Sequence, residues 1–72
     1  MSKNLVGKAN HIFEDGDVST LDVHTLEFPE RDDLEPVVTI DDVNLDSIMI
    51  HSREQWKQIK AFVEKAFDGM EG

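Results

Sequence analysis

Apolar residues recur at steps of three and four through the last quarter of the chain. In "SREQWKQIKAFVEKAFDGM", Trp56, Ile59, Phe62, Val63, Ala66, Phe67 and Met70 share one helical face, while Lys57, Lys60, Glu64, Lys65 and Asp68 fall largely on the other. The spacing predicts an amphipathic helix over about residues 53–68. Ser52 is a natural N-cap, and Gln55 three residues later completes a capping-box pattern. Gly69 suits the left-handed position that ends helices.

Upstream the period shortens to that of strands. "IFEDGDV" sets Asp15-Gly16 between apolar residues, which predicts a type I′ hairpin turn. One arm runs back through Phe13 and Ile12; the other runs forward through "DVSTLDVHTLEF". In that second arm Leu21 and Val23 point one way, whereas Leu26 and Phe28 point the other. A bulge, or a strand that changes partners, repairs the parity. The competing reading is a short helix beginning near Ser19 or Thr20. "EFPERDDLEP" (residues 27–36) is a loop, because its two prolines end regular structure. "PVVTI" and "SIMIHS" read as two further strands joined by the acidic turn "DDVNLD". Strands are expected over about residues 5–14, 17–28, 37–41 and 47–51. The fold class is α+β: a small antiparallel sheet of three or four strands followed by one C-terminal amphipathic helix packed on one face.

Seventy-two residues make a single domain at most. A core this small sits near the limit of independent stability, so a homodimer sharing its core is the alternative to a monomer. There are no cysteines, and therefore no disulfide or thiolate zinc site to staple the fold. That fits a reducing compartment. No apolar run approaches a membrane span, and "MSKNLVGKANHIF" has no signal-peptide core, so the chain reads as a complete cytoplasmic product with no membrane partner.

Charge changes this picture more than length does. The net charge is −9, and residues 14–46 carry twelve acids against Arg31 alone. The acidity thus belongs to the middle of the chain. Such a field repels nucleic acid and attracts basic protein surfaces or cations.

Candidate chemistry is sparse. Asp42, Asn44 and Asp46 stand at the 1, 3, 5 spacing of an EF-hand loop, but position 6 is Ser47 rather than Gly and position 12 is Arg53 rather than Glu. An acidic turn with local backbone hydrogen bonds is the simpler reading. His11, His24 and His51 lack the spacing of a helical metal pair. Carboxylate pairs abound at Glu14/Asp15, Asp32/Asp33 and Asp41/Asp42. They fall in predicted turns, where water keeps them ionised and unsuited to general acid catalysis. No nucleophile elbow, phosphate-binding loop or dinucleotide fingerprint occurs. No enzyme activity, cofactor or metal is expected.

The leading expectation is an interaction module whose acidic belt (Asp22, Glu27, Glu30, Asp32, Asp33, Glu35, Asp41 and Asp42) binds a basic protein, of the kind that handles nucleic acid. Small, acidic, cysteine-free proteins of this kind resemble in type the inhibitors and nucleic-acid mimics encoded by phages and mobile elements. The alternative is a structural or assembly subunit forming a homo-oligomer. In it Leu21, Val23, Leu26 and Phe28 make an apolar interface and acidity serves solubility.

Overall fold

A computed structural model describes residues 1–71. Four strands, β1 (Ser2–Ile12), β2 (Val18–Glu27), β3 (Val37–Asp41) and β4 (Ser47–Ile50), form one antiparallel meander in the order β1-β2-β3-β4. One helix, α1 (Arg53–Glu71), follows. The fold is therefore the expected α+β arrangement of a four-stranded antiparallel sheet and a C-terminal helix.

Residues 18–27 form a strand along their whole length, which removes the short-helix alternative. The parity break in that arm stays in place. Register puts Val23 beside Ile40 and Leu26 beside Val37, so β2 sends apolar groups to both sheet faces. The irregularity lies instead in β1, where the ladder shifts between Leu5 and Gly7. The turn length sets His11 opposite Ser19, and the shift sets His24 opposite Leu5. Lys3, Lys8 and the bulge also blunt β1 as an edge strand against further pairing.

The first turn differs from the two-residue type I′ loop. The Gly16 amide donates to the Phe13 carbonyl (3.0 Å) and the Phe13 amide donates to the Asp17 carbonyl (2.8 Å). Gly16 alone carries the positive φ, +92°. This is a type I turn closed by a glycine bulge, in which Asp15 keeps an ordinary backbone and its carboxylate caps the Asp17 amide (3.0 Å).

The helix starts as its sequence directs. Ser52 Oγ accepts the Gln55 amide (3.0 Å), and Gln55 Oε1 accepts the His51 amide (2.7 Å). Gly69 does not end it; α1 runs on to Glu71 with Gly69 inside at a negative φ. An interior glycine there costs roughly 1 kcal/mol relative to alanine.

The packing of α1 departs most from expectation. Its backbone comes close to the sheet only at β4, and none of its residues is buried. Trp56 reaches the sheet and Ile59 is half-buried, but Phe62 is 70 % exposed and Met70 80 %. The strands at the edge it leaves, β3 and β4, span about 13–17 Å, whereas a helix of this length runs about 28 Å, and the longer β1 and β2 lie on the far side of the sheet. The molecule is accordingly elongated, 46 × 28 × 17 Å. Among the described residues the buried apolar side chains are Leu26, Val37 and Ile50.

Candidate interaction site

Three groups of residues compete for function. The first is the predicted acidic belt, which the fold divides. Asp22 is bound by Lys8 across the β1–β2 pair (2.9 Å). Glu30 holds the N-terminal ammonium (2.8 Å), and Arg31 grips Asp33 with two nitrogens (3.0 and 2.8 Å). These contacts hold the Glu30 and Asp33 carboxyls below their usual range, and Asp33 in turn raises Arg31. Glu27, Asp32 and Glu35 stay exposed around the loop at residues 28–36.

Asp41 is a correction to the reading of the carboxylate pairs as hydrated turn residues. It is the last residue of β3, it faces the same side as Leu26 and Val37, and it is 6 % exposed. Lys3 Nζ reaches its Oδ2 at 2.8 Å from the edge strand, and His24 Nδ1 approaches the same oxygen at 3.1 Å. The lysine holds the carboxyl below the usual aspartate range against the opposing effect of burial, with a smaller contribution from His24.

His24, Thr39 and Asp41 thus share one sheet face, and the trio invites comparison with a catalytic triad. The chemistry fails at two points. A nucleophilic hydroxyl needs the imidazole as its base and an open approach for substrate. Thr39 is 2 % exposed and its hydroxyl bonds to neither ring nitrogen. His24 Nδ1 is close to Asp41 but not aligned as a hydrogen bond. Lys3, Asp41 and His24 are a structural cluster. No three His, Cys, Asp or Glu side chains gather into a metal site among the described residues.

The second group was only partly nominated. The turns at residues 13–17 and 42–46 project from the same end of the sheet, because β3 runs antiparallel to β2 with Asp41 beside Asp22. Glu14, Asp15, Asp17, Asp42 and Asp46 therefore lie toward one end of the sheet as a stepped rim, the first three about 17 Å farther out because the β1–β2 ladder runs on past Asp22 to Val18; all are exposed except the half-buried Asp42, and neither turn contains a basic residue. Asp42 belongs to the predicted belt; the other four are additions that only the meander topology brings together. The 1, 3, 5 spacing has a local explanation. Asp42 Oδ1 accepts the Asn44 amide (2.8 Å) and the Asp46 amide (3.0 Å), so it holds the turn itself.

The third group is apolar. Of the nominated interface, Leu26 belongs to the chain's own core and Phe28 is half-buried beyond β2. Leu21 and Val23 lie on the opposite face. There Val23, Val38, Ile40, Ile50 and Trp56 line a groove of about 430 Å³ between the sheet and the start of α1. Beyond it Phe62, Val63, Phe67 and Met70 continue as an uncovered stripe. Their helical period is plain in the sequence; that the sheet ends before reaching them is not.

Among the described residues no helix is long and apolar enough to cross a membrane. No protein-family model matches the chain, and no curated protein or solved structure proves significantly similar to it.

Proposed function

We propose that the protein is a non-catalytic interaction module that presents its negative rim to a basic surface on another protein, of the class that handles nucleic acid. One observation carries this reading. Glu14, Asp15, Asp17, Asp42 and Asp46 are collected on one end of the sheet without a basic residue in either turn, whereas Asp22, Glu30, Asp33 and Asp41 are neutralised within the chain. Uncompensated carboxylates at a protruding end attract Lys and Arg side chains that otherwise grip phosphates, and they steer association from a distance.

The test is binding to a panel of basic DNA- and RNA-binding proteins at low and moderate salt. Glu14→Lys, Asp17→Lys and Asp46→Lys together should abolish salt-sensitive binding and leave the fold intact, since none of these side chains caps a backbone group. Binding that ignores salt, or that survives the triple reversal, would reject this reading.

A second reading, an assembly subunit whose acidity serves solubility, is favoured by a separate observation. The apolar face of α1 has no sheet beneath it past Ile59.

A further inference from the structure

The chain exposes more surface than its mass allows for a compact monomer. Its accessible area is 6139 Å². A globular chain of 8.2 kDa exposes about 4,500 Å². The excess of about 1,600 Å² is twice the roughly 800 Å² each partner contributes to a standard interface. Exposed apolar side chains occur along the whole chain, and on α1 Phe62, Val63, Phe67 and Met70 lie open to solvent on one helical face beside the apolar groove.

The charges flanking that stripe say what covers it. Along one edge run Arg53, Lys57, Lys60 and Glu64 at steps of three and four, then Glu71 two turns farther on. This edge therefore reverses sign between its two halves. Within one helix the pattern is unfavourable, because cations crowd the positive end of the macrodipole and the last turn contains no basic residue. A second copy running the opposite way turns this edge to advantage. A two-fold axis perpendicular to the helix pair sets each edge against the same edge of its mate, reversed. Arg53, Lys57 and Lys60 then meet the mate's Glu64 and Glu71, and the macrodipoles oppose. A parallel pair would set like halves side by side instead.

We infer that α1 is the seam of a homodimer in which two copies pack their helices antiparallel through Ile59, Phe62, Val63, Ala66, Phe67 and Met70. With Val63 near the two-fold axis, Met70 of each copy lies level with Trp56 of the other, at the mouth of the groove. The inference deepens the assembly reading and is independent of the acidic rim. A monomer would remove it while leaving the rim to be judged by its own salt dependence.

The experiment uses the full chain, which has no native cysteine to interfere. Sedimentation equilibrium from micromolar to about 100 μM, a range in which an interface of this size associates, should give twice the chain mass. Under mild oxidation Val63→Cys should form a disulfide-linked pair, and Met70→Cys should not, since antiparallel packing separates its two copies by about 20 Å along the seam. Circular dichroism confirms that each variant keeps its helix; should one not, the mass of the native chain decides. A monomer across the concentration range would overturn the inference, and so would Met70→Cys linking as readily as Val63→Cys.

Discussion

Leu45 occupies in the β3–β4 turn the place that Gly16 occupies in the β1–β2 turn. In both, the residue's amide donates to the carbonyl three positions back, Leu45 to Asp42 (3.1 Å) and Gly16 to Phe13 (3.0 Å). Both have positive φ, +65° and +92°. Glycine takes this conformation freely, whereas a leucine there crowds its Cβ against the backbone. Leu45 is also 86 % exposed, so burial returns nothing. Leu45→Gly should stabilise the fold by about 1 kcal/mol, raising Tm by about 4–8 °C in a domain of this size. Leu45→Asn should give a smaller rise, and Leu45→Val a fall. A Tm that drops with glycine, measured by thermal circular dichroism, would show that Leu45 makes a contact that offsets its strain.

Lys3 and Asp41 give the molecule a defined acid response. The folded carboxyl is lowered by Lys3, so its contribution to stability is complete above the ordinary aspartate pKa of about 3.9. It is lost as pH falls from there through the lowered folded value. Lys3→Met removes the cation and leaves a buried carboxylate unpaired, so acid unfolding should begin at higher pH than in the native chain. Adding Asp41→Asn to that variant should recover part of the loss, because the uncompensated charge is then gone. An acid midpoint unchanged by Lys3→Met would mean that the pair contributes nothing.

Ser52 fixes where α1 begins. Its Oγ accepts the Gln55 amide, and Ser52→Ala should cost about 1 kcal/mol while Ser52→Asp costs little or nothing. Chemical denaturation followed at 222 nm distinguishes these outcomes.

The charge rows on α1 make their own demand. Lys57→Glu with Lys60→Glu should weaken self-association about tenfold, and adding Glu64→Lys with Glu71→Lys should restore it, since each exposed pair contributes under 1 kcal/mol and the two-fold axis doubles each. Restoration is specific to the antiparallel arrangement. Equal association in all three proteins would remove electrostatics from the seam.

Much of this molecule was written locally in its sequence. The period from Trp56 to Met70, the Ser52–Gln55 cap, and the prolines around residues 29–36 each act within a few positions, and each is found where it was read. The misreadings share a cause: they depend on what lies across the sheet. Asp41 looks like a turn residue until Lys3 arrives from β1. Leu26 looks like an interface residue until register sets it beside Val37 in the core. The rim needs the meander to bring residues 13–17 and 42–46 to one end. The apolar face of α1 looks like core because its period says nothing of how far the sheet beneath it extends. Whether the rim, the stripe or both carry the function was not legible at all, since a partner's surface leaves no local mark.

The anchoring of α1 at one end only also sets how the helix breathes. Its first turns are held by the Ser52 cap, the Gln55 bond to His51 and the seat of Trp56, while the turns past Ile59 rest on backbone hydrogen bonds alone. An unsupported helix of a few turns is marginal in water. In a lone chain, amide exchange should therefore quicken steadily from Trp56 toward Glu71, a gradient of fraying along a single element. Anything that settles on the far half would flatten that gradient, so the amides of the last two turns serve as a built-in gauge of occupancy.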